Sequence, residues 1–172
     1  MERIKVEFET ITPIWTGDAW GQNSEVKPSS IIGALRASFT FYCKKNKIPL
    51  SKLNKNGILD ESFDYNHYRE NIKTKSIKEI LREQKISLES QLFGCTGWKS
   101  RVIIENIDFQ QNGDKYHINS ITFKINKEFI DEFNKFLEWI KEIYIGKGQK
   151  KRKGGRIQKI VLKKEAVNHL IF

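Results

Sequence analysis

Two alternating runs flank an Asn-Gly pair past the middle of the chain: "RVIIENIDFQ" from Arg101, "QNGD" from Gln111, and "KYHINSITFKIN" ending at Asn126. Asn-Gly supplies the positive-φ residues of a tight hairpin turn, and alternation sends every second side chain to one face. A chain with this segment must build a sheet and must cover one face of it. Residues 3–12 offer another strand, with Ile4, Val6, Phe8 and Thr10 on one side and Lys5, Glu7 and Glu9 on the other. Pro13 stops it, because proline has no N–H for the ladder. "RIQKIVLKK", residues 156–164, reads as a last strand, with Ile157 and Val161 as inward candidates.

Helices must cover that sheet. In residues 27–45, Ile31, Leu35, Phe39 and Tyr42 recur at spacings of four and three, which describes one helix face. Pro28 or Ser29 is expected to start this helix, serine as cap and proline in the first turn. Gly33 inside it costs about 1 kcal/mol against alanine, so a close approach by another backbone is expected there. Residues 128–144 form a second helix, striped by Phe129, Phe133, Phe136, Leu137 and Ile140, with Trp139 one step off the stripe and expected in the core. Residues 76–84 suggest a short helix, and "LFG" at Leu92 to Gly94 introduces a loop over 95–100. The order strand, helix, strand, strand, helix, strand predicts an α+β, ferredoxin-like (RRM-like) βαββαβ domain over 1–172 with an insertion at 46–90 after the first helix.

The 172 residues suffice for one buried core, and no apolar run approaches membrane-spanning length. Cys43 and Cys95 are too few and too far apart for a disulfide framework or a zinc site. They read as apolar fillers in a reducing compartment, so a cytoplasmic protein without cofactor or metal is expected.

The formal net charge is +10, and residues 146–164, "GKGQKKRKGGRIQKIVLKK", hold nine Lys or Arg and no acid. A local basic excess points to a polyanion, most commonly nucleic acid. No amphipathic helix collects its Lys and Arg on one face, which argues against a membrane surface. Gly146, Gly148, Gly154 and Gly155 bracket the basic core. Glycine permits positive φ and brings backbone N–H groups close to phosphates. Lys150, Lys151, Arg152, Lys153 and Arg156 then supply the charge. Trp15, Trp20 and Trp98 fall in expected loops, where such rings either stack unpaired bases or plug the surface.

Catalytic signals are sparse. His67, His117 and His169 have no ligand partner at helical spacing, and there is no HExxH, GxSxG or P-loop ending. Asp18 in "TGDAWG" is an acid in a Gly-rich loop, able to hold a metal or to cap its own turn.

Taken together, "TPIWTGDAWG", "KPSSIIGALR", "LFG…SRVIIE" and the late Gly-rich basic segment resemble the RAMP superfamily of CRISPR-associated proteins. Within it, they look like the first subunit of the type III-B (Cmr) effector complex. The resemblance implies an RRM-like fold, RNA as ligand (guide, target or both) and other RAMP subunits as partners. It also implies RNA contacts at Gly146, Gly148, Lys150–Arg156 and the helix-opening residues Lys27, Ser29, Ser30 and Arg36, and it matches Lys99, Ser100 and Arg101 to the "SR" motif. That first subunit usually carries two such domains, where this chain has room for one. The resemblance implies a non-catalytic subunit. The alternatives are a metal-dependent endoribonuclease using Asp18 and a capping subunit that binds only protein.

Overall fold

The computed structural model describes residues 1–10, 27–112, 115–140 and 157–163, with backbone alone for 8–10, 111–112, 115–117 and 157–163. The chain divides into two compact units, Met1–Ser38 with Ile103–Phe172, and Phe39–Val102. The helix α1 (Pro28–Lys45) contributes residues to both.

The first unit is built on a sheet of β1 (Glu2–Thr10), β2 (Val102–Asn112), β3 (Lys115–Ile125) and β4 (Ile157–Lys163). The strand order is β2-β3-β1-β4. β1 pairs antiparallel with both β3 and β4. The register sets Ile4 opposite Phe123 and Val6 opposite Ile121, and all four are buried. Their period of two gives the sheet one apolar face. The expected second helix begins with a 3-10 turn at Lys127–Phe129, capped by the Asn126 side chain, and continues as α5 (Ile130–Ile140). All five residues of its predicted stripe are buried, and the Phe133 ring meets Phe123 edge-on at 5.3 Å. Trp139 is only half-buried.

The second unit holds α2 (Tyr65–Asn71), α3 (Ile77–Glu83) and α4 (Leu88–Phe93). It extends beyond the expected insertion at both ends. The sequence reading found α3, whose Ser76–Glu79 capping box is formed, but resolved neither α2 nor α4. Both are under two turns long, too short for periodicity to register; α3 is no longer than α2, but its start is written in the Ser76–Glu79 capping box. Two buried carboxylates tie this unit together. Glu61 accepts the Ser87 N–H at 2.7 Å, the Ser87 hydroxyl at 2.9 Å and the Ser90 hydroxyl at 2.7 Å. Glu89 accepts hydrogen bonds from the Thr40 and Ser51 hydroxyls. Cys43 is a buried free thiol, and burial, with Glu89 nearby, pushes it up to about 11. Cys95 is half-buried and also free. No helix among the described residues is long and apolar enough to cross a membrane.

Candidate nucleic-acid interface

The start of α1 differs from the expected serine cap. Pro28 is the first helical residue, and the Lys27 carbonyl accepts the N–H groups of Ser30 at 3.1 Å and Ile31 at 3.4 Å. Proline fits this position because its missing N–H would have had no helical partner. Ser29 and Ser30 therefore sit inside the first turn, exposed, rather than before it. The first turn carries no acidic residue to offset the positive end of the helix dipole. Exposed hydroxyls, a first-turn N–H at Ser29 and the half-buried Lys27 form a surface suited to an anion. Arg36 follows on the same helix, half-buried.

No described residue makes the close approach expected at Gly33. Gly33 is exposed, and a Cβ placed on it would meet nothing within 4 Å among the described residues. Among the described residues, a Cβ would collide with backbone at Gly94 and Gly97. Gly94 ends α4 at φ +96°, and a Cβ there would lie 3.0 Å from the Ser100 nitrogen and the Trp98 oxygen. At Gly97, φ is +80° and a Cβ would stand 2.8 Å from the Phe63 carbonyl oxygen.

These contacts explain the "LFG…SR" motif. The Arg101 N–H donates to the Leu92 carbonyl at 2.8 Å, while Cys95 and Trp98 exchange backbone hydrogen bonds of 2.9 and 3.0 Å. The Ser100 hydroxyl lies 3.1 Å from the Leu92 carbonyl and 2.8 Å from that of Val102, and accepts the Val102 N–H. The motif thus fastens the end of α4 to the residues that lead into β2. Trp98, a candidate for base stacking, is part of this fastening. It is only 6% exposed, donates its indole N–H to the Gln91 carbonyl at 3.0 Å, and lies 4.9 Å from the Phe63 ring. Its surface is used up by packing, which leaves no open ring for a base. The Arg101 guanidinium rests 3.8 Å from the centre of the same ring, a cation–π contact that commits its side chain locally. Lys99 is exposed.

An ion triad links side chains of β1, β2 and β3. Arg3 donates to Glu105 at 2.6 Å, and the Lys124 ammonium lies 3.3 Å from the other oxygen. The hydrogen bond from Arg3, with Lys124 second, holds the Glu105 carboxyl below its ordinary range.

His67 has both ring nitrogens facing neighbours, Glu83 at 3.0 Å and the Asn71 amide at 3.5 Å. Lys75 reaches the other Glu83 oxygen at 2.5 Å. Hydrogen bonds from Lys75 and then His67 lower the Glu83 carboxyl. Among the described residues no group of three His, Cys, Asp or Glu is arranged to hold a metal. Trp15, Asp18, Trp20, His169 and the segment from Gly146 to Arg156 lie outside the described residues, as does the His117 side chain.

One feature escaped the sequence reading. Residues 26–59 contain Lys27, Arg36, Lys44, Lys45, Lys47, Lys52 and Lys55 and no acid. These seven charges are spread over 34 positions and form no contiguous run, so only the summed charge of the stretch marks them. The last five are all exposed. Phe41, among them, is 48% exposed with the Lys45 ammonium 5.4 Å from its ring centre.

No curated protein matches the chain. The RAMP superfamily matches it over residues 7–157, from within β1 to the first residue of β4. With most of its length inside that match, this chain belongs to the RAMP superfamily, whose members are CRISPR-associated proteins that interact with RNA.

Proposed function

We propose that the chain is a non-catalytic RNA-binding subunit of a type III CRISPR effector complex, similar to the first subunit of the type III-B assembly. It grips the backbone of guide or target RNA, works in the cytoplasm beside other RAMP subunits, and leaves sequence reading to base pairing. The observation that carries this reading is the extent of the superfamily match. It takes in both the acid-free first turn of α1 and the Gly-rich basic segment before β4. The sheet adds support. Ile157, next after that segment, pairs with Thr10, so β4 starts beside the end of β1 from which the chain leaves the sheet. The strand order β2-β3-β1-β4 and the alternation of elements outside the second unit favour the ferredoxin-like description.

Backbone grip by cations releases counterions, so affinity must fall steeply with salt. Filter binding of single-stranded RNA across a potassium chloride series tests this. Lys150→Glu with Arg152→Glu should weaken binding and flatten the log–log salt slope by about 1.4, at roughly 0.7 per single-strand phosphate contact. An unchanged slope would refute a role for this segment.

A further inference from the structure

α1 ends in a run of exposed cations, and the Lys45 ammonium lies 5.4 Å from the centre of the exposed Phe41 ring. Lys44 and Lys45 occupy the last helical turn, and Lys47 follows in a left-handed conformation, φ +55°. The Ile48 N–H closes on the Cys43 carbonyl at 2.9 Å, which fixes this exit. Two lysines in a last turn offset the helix dipole and need no other reason. Lys47, Lys52 and Lys55 lie beyond the helix and have no such role.

Glu89 joins the pieces. Its carboxylate accepts from Thr40, next to Phe41, and from Ser51, next to Lys52. The turn that follows is preorganised. The Gly57 N–H meets the Asn54 carbonyl at 2.9 Å, and the Asn54 side chain accepts the N–H groups of Asn56 and Ile58 at 2.8 and 3.0 Å. Lys52 and Lys55 are therefore presented by a satisfied turn, tied through Ser51 to the helix that carries Phe41.

We propose that Phe41, Lys44, Lys45, Lys47 and Lys52 form a further contact for single-stranded RNA, made of other residues than the start of α1 and the Gly-rich segment. An unpaired base stacks on Phe41, and the lysines hold the flanking phosphates. A flat ring beside cations is how strands are bound without regard to sequence, since every base offers a π-face. Lys44, Lys45, Lys47, Lys52 and Lys55 outnumber the nearby carboxylates of Glu89 and Asp60, which keeps the local field attractive to phosphate. The inference rests on the RNA-binding reading above. Exposed Leu50, Leu53 and Ile58 in the same stretch make an acidic protein surface the rival occupant.

The test is photocrosslinking of the full chain to thiouridine-substituted single-stranded RNA, with peptide mapping, beside affinity measurements. The expected result is a crosslink in the peptide that contains Phe41, binding roughly tenfold weaker for Phe41→Ala, and near-wild-type binding for Phe41→Tyr. Lys44→Glu with Lys45→Glu should flatten the salt slope. RNA bound by the wild type with no crosslink in residues 39–59 and unaltered affinity in both variants would overturn this contact and leave the proposed function standing. Failure of the wild type to bind RNA would remove both. Crosslinks there to an acidic subunit of the assembled complex, and not to RNA, would assign the surface to protein and likewise overturn it.

Discussion

Single glycines illustrate how differently one residue type can be used. In sequence, Gly33 stood out because it interrupts a helix, while Gly94 and Gly97 looked like ordinary loop residues. The backbone reverses that ranking. Gly94 and Gly97 hold positive φ with carbonyl and amide atoms where a side chain would begin, and at Gly33 a Cβ would meet nothing within 4 Å among the described residues. Gly94→Ala should therefore destabilise the protein by about 1–3 kcal/mol, the usual cost of forcing a side chain into such a backbone region. Gly33→Ala should stabilise it by about 0.5–1 kcal/mol, since alanine loses less chain entropy on entering a helix. Urea unfolding of the two variants against wild type checks both signs. If Gly33→Ala stabilises the fold yet weakens RNA binding, the glycine serves the ligand and not the chain. A loss of stability in Gly33→Ala would contradict the room for a Cβ among the described residues at this position.

At the scale of elements, length and end signals decide what a sequence shows, α3 being legible at seven residues through its Ser76–Glu79 capping box. α1 spans 18 residues and α5 with its 3-10 turn spans 14, enough turns for an apolar stripe to repeat. The hairpin was equally plain, because Asn-Gly marks its turn and two runs of 11 residues alternate around it. α2 and α4 have seven and six residues, and side chains elsewhere in the chain hold α4 in place. α4 starts on a local cap, the Ser87 hydroxyl accepting the Ser90 N–H, but Ser87 is itself held by Glu61, 26 residues upstream, which no local pattern encodes. The site divided in the same way. Charge at the Gly-rich segment was legible because it is contiguous; the fate of Trp98 and Arg101 depended on Phe63 and Leu92, which only the fold brings near. Glu61→Ala removes the acceptor of three hydrogen bonds in a buried setting, among them the one from the Ser87 N–H. The expected loss is about 2–4 kcal/mol, from the loss of these buried hydrogen bonds. Ser76→Ala, at the exposed capping box of α3, should cost only about 1 kcal/mol. Comparable losses for the two in denaturant titrations would mean that Glu61 relaxes to water on its own account.

For the whole molecule, the placement of charge matters more than its total. The two acid-free runs, residues 26–59 and 146–164, hold 16 of the 31 basic residues. The remainder has 15 basic against 21 acidic residues, a net charge of −6. A protein with this division attracts a polyanion at two stretches and repels it elsewhere, which steers a strand instead of merely adsorbing it. Two variants with the same total charge separate steering from adsorption. The first reverses Lys44, Lys45, Lys150 and Arg152 to glutamate. The second reverses Lys73, Lys85, Lys127 and Lys135, all exposed and all outside both runs. Each lowers the net charge by eight, from +10 to +2. If phosphates are neutralised by specific cations, the first variant should lose most RNA binding and flatten its salt slope by about 3, at roughly 0.7 for each of four contacts. The second should keep the wild-type slope, with affinity reduced only by weaker long-range attraction, which salt near physiological strength screens over about 8 Å. Equal slopes in the two variants would show that the chain responds to RNA through bulk charge, and neither basic run would then count as a site.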